Sequence, residues 1–82
     1  MDIRVLIGKR IRKLRQDRKI TQEELSNLAG LDRTYIASVE AGRRNISIVN
    51  IYKISTALGI SLKEFFSDEV FSNNAIENTR SS

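Results

Sequence analysis

The side chains best suited to chemistry lie in one short segment, residues 33–38, which reads RTYIAS. Arg33, Thr34 and Ser38 are predicted to face outward from a helix with Ala37, because the apolar residues between them have the spacing of a buried stripe. An outward face of this composition adds little to stability. It suits a major groove, where arginine binds guanine, hydroxyl groups donate or accept, and a small apolar group meets a thymine methyl.

The two helices that position this segment are marked by their end residues. Thr21 and Glu24 form a capping box at the start of the first helix, and Gly30 provides the left-handed residue that a sharp turn requires. Asp32 is the predicted N-cap of the second helix, and Gly42 ends it. Two short helices joined in this way are typical of a helix-turn-helix motif, whose second helix enters the major groove.

Apolar residues at helical spacing define the buried faces of these two helices. In the first helix they are Leu25, Leu28 and Ala29, and in the second they are Tyr35, Ile36 and Val39. Helix-turn-helix sequences favour branched apolar residues at the last two of these positions. The apolar pattern therefore supports the motif that the helix ends indicate.

The composition excludes several classes of function. The 82 residues contain no cysteine and no histidine, which excludes disulfides and thiolate metal sites and removes the commonest general base. We expect neither a cofactor nor a small-molecule ligand. No apolar run approaches the roughly 20 residues that span a bilayer, so we expect a cytoplasmic protein without membrane contact. We predict one domain over residues 1–71 and a polar, disordered tail over residues 72–82.

Positive charge is concentrated in the half of the chain that contains the motif. Residues 1–44 hold eleven basic and six acidic side chains, a net charge of +5, whereas residues 45–82 hold three and four, a net charge of −1. This asymmetry is typical of a nucleic-acid-binding domain, although a solvated basic face would also produce it.

The first helix, predicted over residues 3–18, carries much of this positive charge. Like charges at helical spacing repel one another, and a negatively charged partner would relieve that repulsion. Arg10 and Arg12 are candidates for contact with DNA phosphates, with a solvated surface as the equal alternative. The buried face of the helix is predicted from four aliphatic residues, Ile3, Ile7, Ile11 and Leu14.

Arg15 and Glu40 have a different interpretation. Arg15 follows Leu14 at the buried edge of the first helix, and Glu40 lies near the end of the second motif helix. We predict a structural ion pair that orients these two helices against each other. A catalytic role for Glu40 is not supported, because no second carboxylate, histidine or metal ligand accompanies it.

The segment after Gly42 continues the candidate interface. Arg43, Arg44 and Asn45 follow directly, close to where a DNA backbone would run. A narrow minor groove attracts guanidinium groups. We therefore expect these three residues to contact the DNA backbone or the minor groove.

Two further helices complete the domain. Ser47 caps a helix predicted over residues 48–58, and a second capping box, Ser61 with Glu64, opens a short helix that ends near Phe66. Five helices with short connections predict a compact all-α fold. The last helix is more apolar than so small a domain can easily bury. Its large side chains form the candidate dimer interface: Leu62, Phe65 and Phe66.

With these residues in view, residues 3–66 resemble the lambda-repressor-like, Cro/C1-type helix-turn-helix family. The segments that carry the resemblance are IRKLRQDRKITQEELSNLAGLD and IASVEAGRRNISIVNIYKISTALGISLKEFF. Within that family, DRTYI followed by VEAGRRNIS and a terminal FF is similar to the controller proteins of restriction–modification systems.

The resemblance implies a homodimer that binds a palindromic operator, activates its own gene and the endonuclease gene, and represses at higher occupancy. The positions that would read base edges, or lie beside them, are Arg33, Thr34, Tyr35 and Ser38. Those that would contact DNA on either side are Gln22, Arg44 and Asn45. Tyr35 is left open between packing inward and contacting DNA. Glu23 would touch the sigma subunit of RNA polymerase, unless it serves only the helix dipole.

Other functions use the same kind of fold. A phage-type repressor or an antitoxin is the main alternative, although an eleven-residue polar tail is short for covering a toxin. A pure protein-interaction module is disfavoured by the outward Arg33, Thr34 and Ser38 and by the basic N-terminal half. Enzymatic activity is the least favoured, since the sequence shows no nucleophile–base pair and no phosphate-binding glycine loop.

Overall fold

Helices account for the regular secondary structure of residues 2–72, the part of the chain that this computed structural model describes. They are α1 (Ile3–Asp17), α2 (Gln22–Ala29), α3 (Arg33–Glu40), α4 (Ile48–Ala57) and α5 (Leu62–Phe65). One more helical turn occupies residues 69–72. The predicted all-α fold is confirmed, and the predicted ends of α1, α4 and α5 lie within one residue of the observed ones. The tail predicted from residue 72 lies, apart from Ser72 itself, outside the described residues.

Each helix from α1 to α5 begins at a residue whose side chain caps its N-terminus. The N-cap oxygens of Asp2, Thr21, Asp32, Ser47 and Ser61 each accept a hydrogen bond from a backbone N–H in the first turn. At Thr21 both halves of the predicted capping box are formed, with bonds of 2.8 and 3.0 Å. At Ser61 the structure contains the half in which Ser61 Oγ accepts from the backbone of Glu64. Local sequence therefore determines where the chain enters each helix.

The core is built where one side chain from each helix meets the others. Ile11, Leu25, Ile36, Ile54 and Phe65 come from α1, α2, α3, α4 and α5 in that order, and each is fully buried. Burying such aliphatic and aromatic side chains is the main stabilising contribution to a domain of this size. Each helix is held in place by the side chain that it contributes to this shared core. The connections between helices can therefore be short.

Two predicted core residues lie instead at the surface. Ile3 and Leu28 are largely exposed, while Leu6, one turn of α1 beyond Ile3, is buried. Both exposed residues have the correct helical spacing, but the neighbouring helices do not reach them. Spacing alone predicts which residues share a helix face, and packing decides how much of that face is covered.

Helices α1 and α3 approach each other closely at Gly8. A Cβ atom added to Gly8 would lie 2.5 Å from the carbonyl oxygen of Val39 and 2.7 Å from that of Glu40. Only a residue without a side chain allows the end of α3 to lie directly on α1. This contact brings Glu40, at the end of α3, close to Arg15 on α1. Within residues 2–72, no helix is long and apolar enough to cross a membrane.

Candidate nucleic-acid interface

The outward face of α3 begins with two exposed residues, Arg33 and Thr34. The carboxylate of Asp32 accepts a hydrogen bond of 3.0 Å from the backbone N–H of Thr34, which fixes the first turn that carries them. Ala37 and Ser38 lie one turn further along and are half-buried. The structure thus places the predicted base-reading residues on one side of a helix that is firmly anchored at its start.

The turn between α2 and α3 depends on a glycine and a small buried residue. Gly30 has φ +68°, in the left-handed region that glycine adopts with little strain. The backbone N–H of Leu31 donates to the carbonyl of Ser26 at 2.9 Å, which closes the turn. Ser26 is buried, and its hydroxyl donates to the carbonyl of Glu23 at 2.7 Å. A serine is tolerated there because its one polar group is satisfied.

A buried ion pair joins α1 to the end of α3. Arg15 donates from Nε and Nη2 to the two carboxylate oxygens of Glu40, at 2.6 and 2.9 Å. The side chains are 11% and 3% exposed, so the pair is largely shielded from water. Hydrogen bonding to Glu40 raises the pKa of the Arg15 guanidinium, although burial opposes the shift. The predicted ion pair is therefore present.

The same carboxylate also holds the start of α2. Gln22 Nε2 donates to Glu40 Oε1 at 3.1 Å. Gln22 is half-buried at the first position of α2, and its amide nitrogen has a second proton available for an acceptor outside the protein. Glu40 thereby links α1, α2 and α3. The contact that Gln22 is predicted to make with phosphate stays a prediction.

Tyr35 connects α3 with α4 and with the segment after α3. Its ring is half-buried against the core, and its hydroxyl accepts a hydrogen bond of 3.0 Å from Asn50 Nδ2 on α4. The guanidinium carbon of Arg44 lies 5.1 Å from the ring centroid, within the range of a cation–π interaction. The ring thus packs inward and also supports a predicted DNA-contacting arginine. Sequence reasoning missed Asn50, because no local pattern relates it to Tyr35.

The arginine-rich segment leaves α3 in a fixed direction. Gly42 has φ +76°, and the backbone N–H of Arg43 donates to the carbonyl of Ser38 at 3.0 Å. This bond closes the C-terminal end of α3. Arg43, Arg44 and Asn45 are all exposed directly beyond it. Their contact with the DNA backbone or the minor groove stays a prediction.

Arg10 and Arg12, paired in the sequence prediction, have different environments. Arg10 donates to the carbonyls of Phe65 and Glu64 at 2.7 and 2.9 Å, and it forms an ion pair with Asp68 at 3.3 Å. Its guanidinium thus satisfies the carbonyl of Phe65 at the end of α5 and gives the carbonyl of Glu64 a donor in addition to the backbone N–H of Ser67. The predicted phosphate contact of Arg10 is therefore corrected to a structural role. Arg12 is exposed, and its phosphate contact stays a prediction.

The predicted dimer interface requires a second correction. Phe65 is 0% exposed and belongs to the core, so it cannot contact another copy. Leu62 is half-buried, and Phe66 is 39% exposed. The larger apolar surface lies on α4, where exposure reaches about 60% at three residues that we call the α4 face: Ile48, Val49 and Tyr52. Apolar residues at positions i, i+1 and i+4, beside an inward stripe, are the signal that could have revealed it.

The remaining candidate site residue is acidic and is the predicted contact with RNA polymerase. Glu23 is exposed in the first turn of α2, next to Glu24 of the capping box. No cluster of three or more histidine, cysteine or acidic side chains that could hold a metal occurs in the described part of the chain.

The fold and this surface define a helix-turn-helix protein. The sequence model of the family described as Helix-turn-helix matches residues 11–65. The control protein C.MunI from Mycoplasma sp is 47% identical over 68 residues, which cover 82% of this chain and 92% of that protein. A second control protein, C.BamHI from Bacillus amyloliquefaciens, is 44% identical to this chain, over 77% of this chain and 79% of its own length.

A solved structure gives the same result. The restriction–modification controller protein C.AhdI from Aeromonas hydrophila has a TM-score of 0.76 and 47% identity, covering 80% of this chain and all of that one. The chain therefore belongs to the helix-turn-helix family, among its restriction–modification controller proteins. A related structure, 33% identical with a TM-score of 0.77 over 80% of this chain and 87% of its own, is a C.Esp1396I tetramer with its natural 35-base-pair operator.

Proposed function

We propose that this protein is a homodimeric transcriptional regulator that binds a palindromic operator and controls the genes of a restriction–modification system. The observation that carries the proposal is the exposed pair Arg33 and Thr34 at the anchored start of α3, with Arg44 beyond its other end. Membership of the controller proteins and the operator complex of C.Esp1396I support it. The protein acts in the cytoplasm, where bacterial operator DNA lies.

Each part of the surface has a role in this proposal. Arg33 and Thr34 read base edges in the major groove, with Tyr35 and Ser38 beside them. Residues on either side fix the protein on the DNA backbone or in the adjacent minor groove, because phosphate contacts set register and orientation. These are Gln22, Arg12, Arg43, Arg44 and Asn45.

The α4 face forms the proposed dimer contact, and the exposed parts of Phe66 and Leu62 on α5 stay candidates for it. Apolar side chains about 60% exposed at three positions of one ten-residue helix are unusual for a monomer. A two-fold axis through this face would bring the same residues of both copies together. Two α3 helices would then enter successive major grooves about 34–36 Å apart, which is the spacing that a palindrome requires.

Activation requires a contact with RNA polymerase in addition to DNA. Glu23 is exposed on α2, away from the buried stripe, and is available to a basic surface of the sigma subunit. Occupancy of a first operator site activates the regulator's own gene and the endonuclease gene, and occupancy of a further site represses them. The helix-dipole contribution of Glu23, about 0.3–1 kcal/mol, accompanies that role and does not depend on polymerase.

The experiment that tests the proposal is selection from a random duplex library, followed by a binding titration of the enriched sequence. We expect a two-fold symmetric site bound at least about 10³-fold more tightly than random duplex. Binding without enrichment would indicate an architectural role, and absence of binding would redirect the search to protein partners. Either result would contradict the proposal.

Arg33→Ala tests the assignment of α3. The variant should lose about 1–3 kcal/mol of binding free energy per half-site and relax base preference at one position of each half-site. The matched control is Lys63→Ala, which removes a positive charge from an exposed position of α5. An equal loss on selected and random duplexes would show that Arg33 contributes charge only.

A further inference from the structure

Asn50 occupies an unusual position between two parts of the molecule. Its backbone N–H donates to Ser47 Oγ at 3.1 Å, which fixes it in the first turn of α4. Its side-chain Nδ2 donates to the hydroxyl of Tyr35 at 3.0 Å. The residue is half-buried, and its side-chain hydrogen bond joins it to the candidate interface at Tyr35.

The ring of Tyr35 is in turn the platform for Arg44. The guanidinium carbon stands 5.1 Å from the ring centroid. An arginine held over an aromatic face retains few of the rotamers that a free arginine samples, so less conformational entropy is lost when it binds. The orientation of the ring therefore determines where the charge of Arg44 is presented.

The direction of the hydrogen bond between Asn50 and Tyr35 has a second consequence. Because Asn50 donates to the tyrosine oxygen, the hydroxyl proton of Tyr35 is not used in that bond. Tyr35 is half-buried, so part of its side chain is accessible from solvent. A phosphate or base oxygen is an acceptor of the required kind.

We propose that Asn50 is a positioning residue for DNA recognition: it orients Tyr35, and through it Arg44, before DNA binds. This inference rests on the proposed function, since it concerns the same surface. It adds a residue on α4, outside the helix-turn-helix motif, to the determinants of operator affinity. The competing interpretation is that Asn50 merely stabilises the packing of α3 against α4.

The test is a double-mutant cycle on the full chain, using Asn50→Ala, Arg44→Ala and the double variant. Affinity for the library-selected duplex is measured over a range of salt concentrations. Asn27→Ala is the matched control, because Asn27 is an exposed asparagine on α2 with no proposed role. Thermal unfolding of each variant reports any loss of stability separately.

We expect Asn50→Ala to weaken binding about tenfold per dimer, as for the loss of one hydrogen bond in each subunit. Arg44→Ala should make the slope of log K against log salt less negative by about 2 per dimer. Asn50→Ala should shift the slope in the same direction. In the Arg44→Ala background it should have clearly less effect than alone, because much of its action passes through that arginine.

Two results would overturn the inference while leaving the proposed function intact. In one, Asn50→Ala weakens binding equally in both backgrounds with an unchanged salt slope, as expected for general packing. In the other, Asn50→Ala binds like Asn27→Ala. Failure of the wild-type protein to bind any duplex would overturn the proposed function, and the inference with it.

Discussion

Glu40 is the residue on which the geometry of the interface depends most. Its carboxylate receives Arg15 from α1 and Gln22 from α2 while it belongs to α3 itself. A buried carboxylate with three donors is well satisfied, but its net contribution to stability is small because its desolvation must be offset. Its importance lies in fixing the positions of three helices relative to one another.

Arg15→Ala should lower the free energy of unfolding by about 3–5 kcal/mol, because it leaves the Glu40 carboxylate buried without its cation. Urea denaturation followed by circular dichroism measures the loss. Lys13→Ala, at an exposed position of the same helix, should stay within about 0.5 kcal/mol of wild type. A loss below about 1 kcal/mol for Arg15→Ala would show that water reaches the carboxylate.

Arg10→Ala and Arg12→Ala should separate stability from DNA binding. Arg12→Ala should make the slope of log K against log salt less negative by about 2 per dimer without changing stability. Arg10→Ala should reduce stability instead, because the carbonyl of Phe65 at the end of α5 loses its donor and the ion pair with Asp68 is lost. Salt titrations and urea denaturation of both variants measure these effects. An unchanged slope for Arg12→Ala would show that Arg12 is a solvent-exposed charge that makes no phosphate contact.

At the scale of helices, the fold depends on how closely α1 and α3 approach. Alanine normally stabilises an exposed helix interior relative to glycine by about 1 kcal/mol. At Gly8 the added Cβ would meet two backbone carbonyls, which cannot rotate away as a side chain can. The contact therefore reverses the usual sign of this substitution.

Gly8→Ala should destabilise the domain by about 1–3 kcal/mol, because α3 must move away from α1. The melting temperature measures the change, and Lys9→Ala at the neighbouring exposed position is the control. The variant should also bind the selected duplex more weakly, since α3 carries the proposed base-reading residues. A Gly8→Ala protein as stable as wild type would show that the two helices separate at little cost.

Helix ends were predictable from the sequence because capping is local. Thr21, Asp32 and Ser47 act within three residues of themselves, and the chain near them contains the whole signal. The burial of Phe65 and the exposure of Leu28 were not predictable, because both depend on helices distant in sequence. The outward residues of α3 followed from periodicity, whereas Asn50 required the packing of α4 against α3.

At the scale of the whole molecule, the basic and apolar surfaces have separate tasks. The basic N-terminal half contains the helix-turn-helix, and the α4 face lies in the half with a net charge of −1. The surface proposed to join two copies therefore belongs to a part of the sequence that does not carry the excess positive charge. One small domain can in this way bind both a polyanion and a second copy of itself.

Tyr52→Glu should convert the dimer to a monomer. The substitution brings a carboxylate from each copy to a symmetric apolar contact, so the dimer dissociation constant should rise at least about 100-fold. Analytical ultracentrifugation measures it, and the monomer should stay folded because Tyr52 is about 60% exposed. The control is Gln16→Glu, which introduces the same kind of side chain, a glutamate, at an exposed position of α1. An unchanged dimer would place the interface elsewhere.

The shared carboxylate at Glu40 also has a consequence for how the protein evolves. A change at Glu40 or Arg15 alone leaves a buried group unpaired, so the two positions should covary among descendants of this chain. Arg33 and Thr34, the proposed base-reading residues, are exposed and contribute little to folding, so we expect them to vary with the operator. We therefore expect new target sequences to arise by mutation of the outward face of α3, while the buried ion pair that positions this helix is retained.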